Sequence, residues 1–144
     1  MTCSQGLGDQ FPRSVRWAPL AQPGHWPDAD LLAIGFLGPA PGWGKARYTR
    51  LTRAEQRAYL TLWCTSRSPL MLGANLTRLD AWTRALLTHP EVLATDQLPC
   101  EQLGLARAAY RRRDLWSAQV LGAAASLRAR LPPRGAALYR IFAQ

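Results

Sequence analysis

Thr52-Arg-Ala-Glu-Gln-Arg-Ala-Tyr-Leu-Thr-Leu-Trp-Cys-Thr-Ser-Arg-Ser-Pro-Leu-Met-Leu72 carries a helix start, a helix, a stop and a short apolar run in one continuous stretch. Thr52 and Glu55 have the spacing of a capping box. The threonine hydroxyl can accept from the third backbone N–H while the glutamate reaches back to the cap. A good N-cap is worth about 1 kcal/mol. Tyr59, Leu62 and Trp63, with Leu60 and Cys64 beside them, recur at helical spacing and predict a face turned toward a core. The helix is predicted to run to about Ser66. Ser68-Pro69 then breaks it, because the residue before a proline disfavours the helical region. Pro69 to Leu72, closed by Gly73, reads as a short buried strand.

Working outward, Leu31 to Leu37 (LLAIGFL) is an apolar run that reads as a strand end or buried segment. Residues 12–30, rich in proline, and residues 38–50, with Pro39, Pro41, Gly42 and Gly44, read as loops. Asp80 is a candidate N-cap for a helix over Ala81–Leu87. His89-Pro90 interrupts that helix, and Glu91–Ala94 adds a further helical turn. From 31 to 94 the order is strand, helix, strand, helix, the alternation of a parallel α/β unit.

The character changes after residue 113. Leu127, Ala129 and Leu131 alternate with Arg128 and Arg130, which predicts a half-buried strand. Pro132 to Gly135 is a turn, and Ala136–Phe142 a second strand, with Leu138 and Phe142 on one face and Tyr139 and Ile141 on the other. Residues 121–143 are therefore expected to form an antiparallel hairpin, with a boundary near residues 98–112.

Composition narrows the function classes. The chain has 144 residues, 48% of them hydrophobic and 19% charged, so it is not disordered by composition. It is too short for a whole (β/α)8 barrel, which takes roughly 250 residues. No apolar run approaches the ~20 residues that span a bilayer, and no membrane partner is assigned. Met1–Gln10 lacks a basic start and a long apolar run, so no signal peptide is expected. The net charge is +9, with Lys45 the only lysine. The arginines are scattered, which favours coding bias over an anionic partner. Their one run, Arg111-Arg112-Arg113, reads as a solvated turn. Cys3, Cys64 and Cys100 have no CxxC spacing, and His25 and His89 lie far apart, so neither a disulfide framework nor a metal site is expected. Cys64 reads as a small core residue.

The string Pro23-Gly-His-Trp-Pro-Asp-Ala-Asp-Leu-Leu32 sets two carboxylates, Asp28 and Asp30, beside Trp26. An aromatic face can stack a sugar ring, and carboxylates accept hydroxyl hydrogen bonds. The same string also reads as a turn in which the aspartates satisfy local N–H groups. It is followed in order by Leu51-Thr-Arg-Ala-Glu-Gln56, Leu62-Trp63, Arg67-Ser-Pro-Leu-Met-Leu-Gly73, Asn75-Leu76, Leu79-Asp80 and Leu86-Leu-Thr-His-Pro-Glu-Val-Leu-Ala94. This series resembles the α-galactosidases (melibiases) of glycoside hydrolase family 27 over about residues 9–98. Arg113-Asp-Leu-Trp116 and Leu131–Arg140 resemble the closing strands of that family's C-terminal β-domain.

The resemblance implies an α/β fold, the end of a TIM barrel comprising its last two β/α units. Residues 23–37 would be the seventh strand and its loop, 52–67 the next helix, 69–72 the eighth strand and 80–94 the last helical segment. It implies residues 1–98 as barrel, 99–112 as linker and 113–144 as the remnant of the β-domain. Barrel sites lie at the C-terminal ends of the strands. The family's residues matching Asp30 and Leu31 line its sugar pocket, and Asp28 and Trp26 stand beside them as further substrate contacts. No cofactor and no metal is implied.

The sequence departs from the family at its chemistry. A retaining glycosidase needs two carboxylates about 5–5.5 Å apart. The family's nucleophile sits in a Tyr-x-Lys-x-Asp-type motif on an earlier strand, and its acid/base aspartate follows an arginine just before the matched part. Neither motif occurs here, so no catalytic residue is identified. The reading is an α-galactosidase-like chain that is inactive alone and takes a galactoside if the pocket is completed. One alternative is a non-catalytic sugar-binding chain, or one that completes a barrel supplied by another chain. Two parallel strands without neighbours leave unpaired N–H and C=O groups, which favours such a partner. An Arg111–Arg113 nucleic-acid binder is the lesser alternative, and no nucleic-acid signature accompanies the run.

Overall fold

The structure is a computed structural model that describes residues 3–22, 24–39, 44–97, 110–124 and 128–142. It is an α/β chain with two small antiparallel sheets. The chain opens with α1, Cys3–Trp17, and a 3-10 turn at Ala18–Leu20. The short strands β1 (Phe36–Leu37) and β2 (Arg47–Tyr48) pair antiparallel. Next come α2 (Arg53–Ser66), α3 (Ala81–Leu87) and α4 (Pro90–Asp96). The chain closes with β3 (Tyr110–Asp114), β4 (Gln119–Ala124) and β5 (Tyr139–Phe142), in the order β4-β3-β5.

The helices form where local chemistry dictates. Thr52 caps α2 as expected: its hydroxyl accepts from Glu55 N–H, and Glu55 Oε2 accepts from Thr52 N–H at 2.8 Å. The helix ends at Arg67, which takes a left-handed φ of 53° and donates its N–H to Cys64 and Trp63 carbonyls. Asp80 caps α3 by accepting Thr83 N–H at 2.8 Å, and Pro90 opens α4 at a position where its missing N–H costs nothing. Leu60, Trp63 and Cys64 of α2 join Leu32, Ile34, Leu86 and Val92 in one buried cluster. The Cys64 thiol, desolvated there, is pushed up to about 12.

Several local expectations give way. Residues 12–17 are not loop but the second half of α1. Leu7, Phe11 and Val15 recur every fourth residue and give that helix an apolar stripe despite Pro12. The stripe runs from buried to open: Leu7 is 9% exposed, Phe11 47% and Val15 73%. Residues 47–48, within the expected loop 38–50, pair with β1. Phe36 meets Tyr48 edge-on at 5.2 Å between ring centres. Just before β1, Gly35 has a φ of +88°, and an added Cβ there would lie 3.0 Å from Leu79 Cδ2, so a side chain at this position would crowd the segment leading into α3. Residues 69–72 are not a buried strand. Leu72 makes a single parallel bridge to Leu32, and Met71 is exposed.

The largest difference is in the tail. Arg111-Arg112-Arg113 is the middle of β3 and not a turn. The turn comes after it, where Asp114 Oδ1 accepts the N–H groups of Trp116 and Ser117 and Ala118 takes a φ of +56°. The hairpin is therefore β3–β4, and β5 pairs with the other edge of β3. Residues 128–131 form no strand, and Leu127 lies outside the described residues. The turn at Pro132–Gly135 is present, with Gly135 N–H donating to Pro132 O. Of the expected linker 99–112, residues 110–112 belong to β3 and the remainder lies outside the described residues.

The tail sheet shares the core of the helices. Leu115 and Leu138 are buried in the same cluster as Trp63. Arg113 grips Glu91 with two hydrogen bonds of 2.8 and 2.7 Å. Trp116 donates its indole N–H to Thr61 Oγ1 and meets His89 edge-on. Arg134 reaches the buried Glu55 at 2.8 Å. Leu115→Ala is expected to cost about 2–5 kcal/mol, read as a lowered melting temperature. An unchanged midpoint would show that the tail is not part of the core.

The carboxylates set an acid limit. Thr52 N–H and Arg134 hold Glu55 below the ordinary carboxylate range, Thr83 N–H does so for Asp80, and Arg113 for Glu91. Burial raises Asp96 instead. A lowered folded-state pKa stabilises above the unfolded value and loses that contribution as pH falls through the lowered one. The melting temperature should therefore fall from about pH 5 downward. A Glu55→Gln chain should start lower near neutrality and lose less on acidification. Parallel pH profiles for the two chains would refute this.

Candidate functional site

The segment Gly24–Leu31 lies against the C-terminal half of α2. Gln22 and His25 close a tight turn through two mutual backbone hydrogen bonds. Trp26 then stands half out of the surface, 37% exposed. The Arg67 guanidinium lies 5.0 Å from its ring centre, a cation–π placement that fixes the indole. A cleft of about 390 Å³ opens beside it, lined by Trp17, Leu20, His25, Trp26, Pro27 and Asp28. Trp26 and Asp28 are thus brought together. Asp30 and Leu31 follow immediately in the chain and do not line the cleft.

Asp28 and Asp30 are both exposed. Asp28 Oδ1 accepts Asp30 N–H at 2.8 Å, and Asp30 Oδ1 accepts Leu31 N–H at 2.7 Å. Each carboxylate thus uses one oxygen on the backbone, the turn-forming role open to such a string. Asp30 has a φ of +73°, a conformation that aspartate tolerates better than most residues and that still costs energy without glycine. Its backbone is held from behind. Trp63 Nε1–H donates to Asp30 O at 2.9 Å, Tyr59 O–H to Leu31 O at 3.0 Å, and Ala29 N–H to Ser68 Oγ at 2.8 Å. The arrangement can offer carboxylate oxygens to hydroxyl groups and an aromatic face to the C–H side of a ring. Among the described residues no group of three His, Cys, Asp or Glu side chains could hold a metal ion.

Residues 10–98 match the family model described as alpha galactosidase A, a melibiase family. The chain belongs to this family. It is an α-galactosidase-like member of glycoside hydrolase family 27. Alpha-galactosidase 2 of Arabidopsis thaliana is 32% identical over 90 residues, 62% of this chain and 19% of that protein. Alpha-galactosidase A of Cellvibrio japonicus is 35% identical over 85 residues, 59% of this chain and 17% of that one. A solved family 27 β-L-arabinopyranosidase from Geobacillus stearothermophilus superposes with a TM-score of 0.83 at 30% identity, covering 95% of this chain and 41% of its own. The chain thus spans about a fifth of the length of the curated relatives it matches. The structural match extends beyond the family-model segment into the tail sheet.

The melibiase string displays Trp26, Asp28, Asp30 and Leu31. Sequence reasoning missed Trp17 and His25 in the cleft, and Arg67, Ser68, Tyr59 and Trp63 behind the loop. An apolar face at helical spacing did mark Trp63 and Tyr59, but only as core. No helix among the described residues is long and apolar enough to cross a membrane.

The positive φ at Asp30 has a measurable consequence. Asp30→Gly and Asp30→Ala both remove the carboxylate, yet only alanine keeps a Cβ. The glycine variant is expected to be more stable than the alanine variant by about 1 kcal/mol, measured by denaturant unfolding. The reverse order would contradict the positive φ.

Proposed function

We propose that this chain forms the sugar-facing C-terminal part of a family 27 barrel and binds a galactoside-type sugar without hydrolysing it alone. The supporting observation is the loop that sets Trp26 beside Asp28, with Asp30 and Leu31 next in the chain, inside the segment matched by the melibiase model. Trp26 would stack the ring, Asp28 and Asp30 would accept its hydroxyls, and Leu31 would complete the wall. In this reading residues 1–98 carry the barrel's last two β/α units, 99–112 form the linker and 113–144 come from the β-domain. Family 27 sugar recognition is consistent with this chemistry: a variant of the Geobacillus arabinopyranosidase has been solved in complex with arabinose.

Absence of turnover follows from the missing motifs. Among these 144 residues there is no Tyr-x-Lys-x-Asp string and no arginine-led acid/base aspartate of the family's kind, which supports this reading for the chain alone. The purified chain with 4-nitrophenyl α-D-galactopyranoside should release no nitrophenol above buffer. Release that disappears in Asp30→Ala would overturn the non-hydrolytic reading.

A second reading, completion of a barrel by another chain, is favoured by the open apolar face of α1. Phe11, Val15, Ala18, Trp26 and Leu62 line a groove of about 380 Å³, and Trp17 and Leu20 are exposed beside it. Contiguous apolar surface of this kind marks a surface that is covered in the working assembly. Mixing the chain with a family 27 enzyme truncated after its sixth strand should restore hydrolysis of the aryl galactoside. No complex on gel filtration and no activity would sink the idea.

A further inference from the structure

All six backbone polar groups of Ala29, Asp30 and Leu31 are engaged, and five of the six by side chains from outside these three residues. Asp28 takes Asp30 N–H, Gln10 Nε2 donates to Ala29 O at 3.4 Å, Ser68 Oγ takes Ala29 N–H, Trp63 donates to Asp30 O and Tyr59 to Leu31 O. The sixth, Leu31 N–H, goes to Asp30 Oδ1. Side chains here do what a neighbouring strand does elsewhere. Three of the five come from one stretch, residues 59–68. Tyr59 and Trp63 lie four apart on one helix face. Ser68 follows the left-handed cap at Arg67, whose guanidinium covers Trp26.

This support is stiff. Trp63 and Ser68 have no exposed surface. The Tyr59 ring meets the Trp63 ring edge-on, 4.3 Å between centres at 89°. A phenylalanine at 63 would keep an aromatic ring in the core, at the cost of a smaller side chain in a fully buried position, and would remove the N–H. That N–H is directed at the carbonyl of Asp30, the one non-glycine residue of Gly24–Leu31 with positive φ. A strained backbone persists where its surroundings over-determine it, and such places concentrate at binding sites. Precision in a binding site comes from outer contacts that lock the residues touching the ligand.

We infer that Tyr59, Trp63 and Ser68 are positioning residues for the sugar site, holding the Asp28–Leu31 backbone so that the Asp28 and Asp30 carboxylates face a hydroxylated ring. They touch no sugar themselves. The inference rests on the sugar-binding reading above and adds what fixes the geometry of that site. A purely structural role would lower stability and leave affinity unchanged in the molecules that remain folded. A positioning role moves affinity and loop conformation together.

The experiment is a nitrogen-15 NMR titration of the full chain with methyl α-D-galactopyranoside, on the unsubstituted protein and on Trp63→Phe, Tyr59→Phe and Leu115→Ala. Positive φ at Asp30 gives a strong intraresidue HN–Hα NOE, which reports the loop without any ligand. The unsubstituted chain should show that NOE and saturable shifts over residues 28–31. Trp63→Phe and the milder Tyr59→Phe should weaken the NOE and reduce affinity about tenfold, the scale expected for an unpaired buried carbonyl. Leu115→Ala, which removes a core side chain from the tail sheet and touches none of the loop's hydrogen bonds, should leave both unchanged. NOE and affinity preserved in both α2 variants would overturn the positioning role. An affinity loss shared by Leu115→Ala would also overturn it, assigning the effect to stability. No saturable shift in the unsubstituted chain would overturn the sugar reading beneath it, and the NOE comparison would then decide the loop-holding role by itself.

Discussion

The indole of Trp63 ties the core to the loop. Its ring is fully buried with Leu32, Ile34, Leu60 and Val92, and its N–H meets the carbonyl of Asp30. Leaving that N–H buried without a partner would cost about 1–3 kcal/mol. Collapse of the core around α2 therefore draws Asp30 into place. The helix that supplies Trp63 is itself started by Thr52 and Glu55 and stopped at Arg67, so its register is fixed at both ends. Because the register is fixed, Tyr59 and Trp63 arrive opposite consecutive residues of the loop, and Arg67 arrives over Trp26.

Glu55 extends the same logic to the tail. Its carboxylate closes the N-terminus of α2 and also receives Arg134 from the Pro132–Gly135 turn. The tail sheet adds Leu115 and Leu138 to the cluster around Trp63, and the Arg113–Glu91 pair joins β3 to α4. The β-sheet is thus held to the helices at three kinds of contact: apolar, aromatic and ionic. A structural match covering 95% of the chain, tail included, agrees with that shared core.

What was legible in the sequence was what is local. The Thr52–Glu55 box, the Asp80 cap and the Pro69 stop each act within a few residues, and each appears where expected. Strand partners are chosen across long separations, and there the sequence misled. Arg111-Arg112-Arg113 looks like a solvated turn until Asp114 is seen to make the turn one step later. Leu127–Leu131 alternates like a strand, yet β5 pairs with β3 instead. Proline suggested loop at residue 12, while the stripe Leu7, Phe11, Val15 prevailed. At the candidate site, Trp26, Asp28 and Asp30 stood in one string and could be read. Their supports come from positions dozens of residues away, and no pattern in the string announces a positive φ at Asp30.

The distribution of satisfied and unsatisfied surface separates two tasks. The backbone from Ala29 to Leu31 obtains every hydrogen bond from within this chain, so the conformation of this loop does not wait on additional strands. The surface around Phe11, Val15, Trp17 and Leu20 is different: its apolar groups stand exposed. Met71 is exposed too, and residues 70–72 meet Leu32 through one bridge. Burying apolar surface returns about 25 cal/mol per Å², so covering this side would be stabilising. On the sugar-binding proposal, such a site would recognise a ring without the carboxylates that would cleave its bond. Under the reading proposed above, recognition would be local to the α2–loop contact, whereas hydrolysis would need the rest of a barrel.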